Sequence, residues 1–322
     1  MKVLVTGGAG YIGSVVVRRL LARGDTVRVL DSLRYGGEAL LGLMPEGRFS
    51  LVRGDVRSAA DVRRALEGVE AVVHLAAIVG DPACAREPQL ARAVNLEASL
   101  QLFDLGRRAG VARLLFASTC SNYGRMAASA DYVTEDSALR PVSLYAETKV
   151  AVERALLEPA SSGPVTSVLR FATVFGLSPR MRFDLTVNEF TLALLTKRRL
   201  TIYGEQFWRP YVHVWDVARA IELFLEAAGE RIDRQAFNVG DTGQNYQKGE
   251  LARLIASLIG NHATIERVDK AEDLRDYRVS FDKIQRGLGY RITRPVEAGV
   301  QELIGAISQG VFADVEHARY RN

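Results

Sequence analysis

Cysteine is nearly absent: Cys84 and Cys120 are the only two in 322 residues, and neither sits at a Cys/His spacing that ligates zinc. That argues against a disulfide framework and a structural metal, and it fits a reducing cytoplasm. Long apolar runs are missing as well. None reaches the roughly 18 residues that cross a bilayer, and Met1-Lys2 leads directly into a strand-like run with no signal-peptide core. The chain therefore reads as cytoplasmic, with no membrane partner. Charge of one sign is concentrated only at Lys197-Arg198-Arg199, which reads as a helix C-terminal cap. The net charge of +4 otherwise comes from scattered arginines, so a nucleic-acid partner leaves no footprint here. Of 4 histidines, His74 and His213 fall on strand patterns and read as hydrogen-bonded core residues.

What the chain has in quantity is a rhythm of strands and helices. Lys2-Val3-Leu4-Val5 turns through Thr6-Gly7-Gly8-Ala9-Gly10-Tyr11-Ile12-Gly13 into a helical pattern from Val15 to Arg23. Glycines at such a turn let the backbone approach a pyrophosphate, which then faces the N–H groups and positive dipole end of the new helix. A second strand pattern, Thr26 to Leu30, runs into Asp31-Ser32, where an acid can hold the adenosine ribose hydroxyls. Gly7, Gly10, Tyr11, Ile12, Gly13, Asp31 and Ser32 are candidate cofactor contacts on this reading. NAD is expected over NADP, although Arg34 is a nearby cation that could pair with a 2′-phosphate.

Further strands are expected at Phe49–Val52, Ala71–Leu75, Arg113–Ala117 and Val165–Arg170, separated by helices at Ala60–Leu66, Leu90–Arg108 and Tyr145–Leu157. Such alternation predicts an α/β fold with a doubly wound parallel sheet of the Rossmann type. Ligands of these sheets bind outside the carboxyl ends of the strands, where Gly7, Asp31, Asp55, Ala76 and Ser118 all fall. The length suggests two lobes. Residues 1–170, rejoined by 211–241, are expected to form the dinucleotide-binding domain, with 171–210 and 242–322 as a substrate-binding lobe. Beyond residue 171 we expect a helix at Asp184–Lys197, a strand at Tyr211–Val214, and the helix Asp216–Ala227 and strand Ala236–Val239 returning to the sheet. The helices Leu251–Leu258 and Val296–Ile304 complete the smaller lobe.

Tyr145-Ala146-Glu147-Thr148-Lys149 places a phenol and an ammonium four residues apart, on one face of a helix, where they can act as one acid/base unit. A neighbouring ammonium that favours the phenolate would let Tyr145 take a proton from a hydroxyl near neutral pH.

With the glycine turn, Asp31, Gly54-Asp55-Val56, His74-Leu75-Ala76-Ala77, Ser118-Thr119-Cys120, Tyr145-x-x-x-Lys149 and Arg209-Pro210-Tyr211-Val212-His213-Val214-x-Asp216-Val217-Ala218 in this order, the chain resembles the extended short-chain dehydrogenase/reductases. Within them it is similar to the nucleotide-sugar epimerases and dehydratases of the UDP-galactose 4-epimerase kind. The resemblance implies that Asp55 and Val56 lie beside the adenine, that Leu75, Ala76, Ala77 and Ser118 run along the cofactor, and that Asn95 supports its nicotinamide side. It implies a catalytic set of Thr119, Tyr145 and Lys149, no metal, and a nucleotide-diphosphate sugar as partner. Arg209 would hold the diphosphate, Arg275, Asp276 and Arg278 fall in a stretch that touches the nucleotide, with Arg278 taken as the contact, and Asn188 would reach a phosphate.

Two departures from the family pattern narrow the subclass. The sugar 4,6-dehydratases carry an Asp-Glu pair after the catalytic Thr, whereas this chain has Cys120-Ser121, read as lining the sugar pocket, so dehydration is disfavoured. Epimerases of the galactose type usually place an Asn after the strand bearing Arg170, where this chain runs Phe171-Ala172-Thr173-Val174-Phe175-Gly176, so the sugar stays open. The loop Val79 to Cys84, with Asp81, is expected to face it. The family also implies a homodimer through the helices Leu90–Arg108 and Tyr145–Leu157. The expected activity is epimerisation by transient oxidation at sugar C4. A 4-ketosugar reductase and a UDP-glucuronate-type decarboxylase are the enzymatic alternatives. A non-catalytic dinucleotide-sensing regulator is disfavoured by the presence of Thr119, Tyr145 and Lys149 together.

Overall fold

The computed structural model describes residues 1–126, 132–159, 162–260, 263–268 and 275–322. Its strands, in chain order, are β1 (Lys2–Thr6), β2 (Thr26–Asp31), β3 (Phe49–Arg53), β4 (Ala71–His74), β5 (Arg113–Thr119), β6 (Val165–Phe171), β7 (Thr173–Phe175), β8 (Arg199–Tyr203), β9 (Trp208–His213), β10 (Gln235–Val239), β11 (Asn245–Gln247) and β12 (Thr264–Val268). The helices are α1 (Gly13–Arg23), α2 (Ala59–Leu66), α3 (Asp81–Arg86), α4 (Pro88–Arg92), α5 (Ala98–Arg108), α6 (Leu144–Leu157), α7 (Thr186–Leu192), α8 (Val214–Glu226), α9 (Lys248–Ile259), α10 (Asp282–Leu288) and α11 (Val296–Ser308).

Seven strands form the main sheet, ordered β3-β2-β1-β4-β5-β6-β10. Every neighbouring pair is parallel. The order reverses between β1 and β4, which is where doubly wound sheets open a crevice. Strands buried on both faces must be apolar throughout, and β1 shows why: Val3 and Val5 enter the core on one side of the sheet, Leu4 the core on the other. Strand β10 returns to the main sheet, as expected, and takes the edge position beside β6.

Three local differences from expectation have simple causes. The strand anticipated at Tyr211–Val214 begins at Trp208 and pairs with β7 and β11 in a separate three-stranded sheet. Its apolar pattern does not reveal which sheet it joins. The single long helix expected over Leu90–Arg108 is α4 and α5 joined by a π-turn at Ala93–Glu97. The helix expected to end at Lys197 does so through a second π-turn, Ala193–Lys197, closed by Arg198 at φ 51. The basic cluster is thus a left-handed C-cap. No helix among the described residues is long and apolar enough to cross a membrane.

Candidate active site

A cleft of about 550 Å³ lies across the carboxyl ends of β1, β2, β4, β5 and β6. One wall of it is the glycine turn. Gly7 has φ 72, and a Cβ there would stand 2.8 Å from the Ala76 amide nitrogen; one at Gly13 would run into the Gly7 carbonyl oxygen. Only glycine lets the turn, the end of β4 and the start of α1 close on one another. No side chain caps α1; the Ser14 and Val15 amides donate to the Gly10 and Ile12 carbonyls (2.9 and 3.1 Å), which leaves the Ile12 and Gly13 amides for a ligand, and a pyrophosphate fits that cradle. Gly7, Gly10, Tyr11, Ile12 and Gly13 all line it.

At the end of β2, Asp31 accepts from the Ala9 amide (2.9 Å) and the Leu33 amide (2.8 Å). Burial raises its carboxyl above the usual range, opposed by those two bonds. Asp31, Ser32 and Arg34 line the cleft, and the Arg34 guanidinium is ion-paired to Glu87. Asp55 is held at 2.6 Å by Arg57, whose hydrogen bond lowers its pKa. Val56, Leu75, Ala76 and Ala77 also line the cleft.

Thr119 ends β5, and its Oγ1 accepts from the Ser121 amide at 3.1 Å. Ser143 caps α6 by accepting from the Ala146 amide (3.3 Å), which sets Tyr145 in the first turn and Lys149 one turn on. All three line the cleft. Lys149 is 2 % exposed; its Nζ donates to the Ala117 carbonyl (2.8 Å) and lies 5.9 Å from the Tyr145 ring centroid. Burial pushes Lys149 down to about 8 despite Glu153. Burial also raises the Tyr145 phenol above its ordinary range, Cys84 adding to it and Arg182 opposing. The sequence reading had Lys149 lowering Tyr145. Here burial is the largest influence on the phenol, and the Lys149 ammonium is directed at a backbone carbonyl.

Several anticipated contacts lie elsewhere. Asn95, in the first π-turn, is fully buried and clamps Ile78, accepting from its amide (2.8 Å) and donating to its carbonyl (2.9 Å); it shapes the loop after β4 without reaching the cleft. Cys120 is 1 % exposed and directs its thiol at the Arg170 carbonyl (3.3 Å), beneath the cleft floor. Asn188 is also buried, accepting from the Gly176 amide (3.0 Å) and donating to the Arg182 carbonyl (2.8 Å) and Tyr11 hydroxyl (3.2 Å). Arg209 lies 5.3 Å from the Tyr277 ring centroid and donates to the Trp208 and Arg275 carbonyls. Arg278 stacks on Tyr132 and Trp208 at 5.1 Å each. Neither arginine lines the cleft, and the one from that stretch that does is Arg275, paired with Asp81 at 3.2 Å.

Ser121 does reach the cleft, 3.3 Å from the Tyr277 hydroxyl. Ser118 lines it as well, although its hydroxyl donates to Glu153. Sequence reasoning missed Arg180, Arg182 and Tyr277, all cleft residues. The available signal was Pro179-Arg180-Met181-Arg182, two arginines two apart just after a proline.

Residues 3–240 match the model of the NAD dependent epimerase/dehydratase family. The UDP-glucose 4-epimerase of Corynebacterium glutamicum is 28% identical over 90% of this chain and 90% of its own. The dTDP-glucose 4,6-dehydratase of Streptomyces griseus is 32% identical over 89% and 88%. The crystal structure of Thermus thermophilus UDP-glucose 4-epimerase in complex with NAD superimposes with a TM-score of 0.81 at 31% identity, covering 96% of this chain and 99% of that one. With a family model spanning most of its length and a Rossmann-type cleft built for a dinucleotide, this chain belongs to the NAD-dependent epimerase/dehydratase family of nucleotide-sugar enzymes.

Proposed function

We propose that the chain is a nucleotide-diphosphate-sugar epimerase that works by transient oxidation at sugar C4. The observation that carries this reading is the convergence of Thr119, Ser121, Tyr145 and Lys149 on the same cleft as the glycine turn. The turn would hold the pyrophosphate, Asp31 and Ser32 the adenosine ribose, Asp55 and Val56 the adenine, and Lys149 the nicotinamide ribose. Bound NAD supplies the site with a reversible hydride acceptor. Tyr145 takes the proton of the C4 hydroxyl as phenolate and returns it; Thr119 Oγ1 hydrogen-bonds the same oxygen and fixes the sugar's height above the floor. The Lys149 ammonium makes phenolate formation less costly. Elimination across neighbouring carbons needs an acid and a base beside Thr119, and positions 120 and 121 supply a buried thiol and a hydroxyl instead.

A 4-ketosugar reductase would use the same groups, consuming reduced cofactor once per turnover. Protein purified without added cofactor is expected to release NAD on denaturation and to interconvert a nucleotide sugar with no net change in reduced-nicotinamide absorbance. Stoichiometric loss of that absorbance would replace the epimerase by the reductase. Screening UDP-, dTDP-, GDP- and CDP-sugars for thermal stabilisation identifies the substrate class, because ligands that bind the native state raise its melting temperature. The same reading takes α5 and α6 as a homodimer face, which light scattering tests.

A further inference from the structure

The arginines that line the cleft are Arg34, Arg57, Arg180, Arg182 and Arg275. Arg34, Arg57, Arg182 and Arg275 each have a carboxylate: Glu87, Asp55, Asp184 and Asp81. Arg180 has none among the described residues. It is 7 % exposed, its Nη2 donates to the Arg321 carbonyl (3.1 Å), its guanidinium lies 4.5 Å from the Tyr35 ring centroid, and its Nε is buried without a hydrogen-bond partner. Arg182, two residues on, gives Nε and Nη2 to Asp184 (2.9 and 2.6 Å). Asp184, already bound by Arg182, attracts Arg180 only from a distance, and a buried guanidinium with no carboxylate in contact is unfavourable unless an anion arrives to meet it.

The surroundings indicate which anion. The segment between β7 and α7 is fastened to the glycine turn: the Tyr11 hydroxyl donates to the Gly176 carbonyl (2.6 Å), Ser178 Oγ donates to the Tyr11 carbonyl (2.6 Å), and Asn188 bridges Tyr11, Gly176 and Arg182. Tyr35, on which Arg180 rests, belongs to the loop that follows Asp31. The turn itself, Thr6 to Ser14, contains no basic residue. We propose that Arg180, with Arg182 beside it, is an anion clamp that meets the pyrophosphate of the dinucleotide from the side opposite the glycine turn and keeps the cofactor bound between turnovers. Backbone amides then neutralise one side of the diphosphate and a two-pronged guanidinium the other. The inference rests on the dinucleotide site and not on the epimerase reading. A diphosphate also occurs in a sugar nucleotide, and the experiment separates the two sources.

Full-length protein stripped of cofactor, and its Arg180→Gln and Arg180→Lys variants, are titrated calorimetrically with NAD, ADP-ribose, adenosine and UDP-glucose, and their melting temperatures are recorded with and without NAD. Arg180→Gln is expected to weaken NAD and ADP-ribose about tenfold or more, with Arg180→Lys intermediate and adenosine and UDP-glucose within about twofold of the parent. The stripped Arg180→Gln protein should melt at or above the parent temperature, while its NAD-induced rise shrinks. Weakening confined to UDP-glucose would assign the clamp to the substrate and overturn the proposal. Unchanged NAD affinity in both variants would overturn it too, and a lower stripped melting temperature with unchanged NAD affinity would reduce Arg180 to a structural role. Should Arg180→Gln not fold, NAD affinity in Arg180→Lys equal to the parent's would have the same force.

Discussion

One turn of α6 separates two buried charges in opposite circumstances. Glu153 faces beneath the cleft floor, where it accepts from Ser118, from Asn122 Nδ2 (2.7 Å) and from Arg170 Nε and Nη2 (3.0 and 2.8 Å). Arg170 in turn donates to the Tyr123 hydroxyl (3.0 Å), which donates to Asn238 Oδ1 (2.7 Å). Lys149 faces the cleft and has, among the described residues, one hydrogen bond, to a carbonyl. Both groups are equally hidden from solvent, so burial does not distinguish them; completeness of pairing does. A charge met on every side by the protein's own groups holds β5, β6, β10 and α6 together. A charge met on one side is kept ready for something that enters.

The sharpest test of the cleft half of this contrast is Tyr145→Phe. Removing one oxygen should lower turnover about 10³-fold or more while NAD stays bound, read by activity and by cofactor released on denaturation; undiminished turnover would remove Tyr145 from the chemistry. Next comes the floor. Arg170→Met strands the Glu153 carboxylate in the interior and should cost about 3–5 kcal/mol in urea unfolding, and a loss near zero would dissolve the distinction between the two regions.

A smaller effect has a defined sign. Lys149 is held near pH 8 against an ordinary value of 10.5, so between these values the unfolded chain binds more protons than the folded one. Stability relative to Lys149→Met should therefore rise with pH, by about 2 kcal/mol between pH 8 and 10, and stay level below pH 8. A difference that is flat or falls across that window would show that the ammonium is better paired than its single bond suggests. The smallest change is Cys120→Ala, expected to cost about 1 kcal/mol of stability and to leave the KM for the sugar unchanged. A large KM effect would return that side chain to the cleft.

The same contrast explains what could be read in advance. The glycine turn, Asp31, and the Tyr145/Lys149 spacing were legible because their geometry is local: strand, turn and helix follow within a few residues, and side chains four apart share a helix face. The parallel, doubly wound character of the main sheet followed from the alternation of elements. Asn95, Cys120 and Asn188 were misplaced because a polar side chain that serves a neighbouring backbone has the same letter as one that serves a ligand, and only the fold says which way it points. Arg180 escaped for the converse reason. Its meaning comes from Tyr11, Ser178 and Asn188 tying a distant segment to the glycine turn, a coincidence of residues more than a hundred apart that no local pattern encodes.

The π-turn at Ala93–Glu97 has a consequence for engineering. A π-turn carries one residue more than regular winding would use, and each helical residue advances the side-chain direction by about 100°. Deleting a single residue there would let α4 and α5 merge into an uninterrupted rod, tidier as a helix, yet everything downstream would be rotated against everything upstream. Asn95 could no longer keep both its bonds to Ile78, and the loop leading to Asp81 would lose its anchor. The irregular winding is what aims the amide, so shortening this helix by one residue should cost far more than replacing any exposed residue on it.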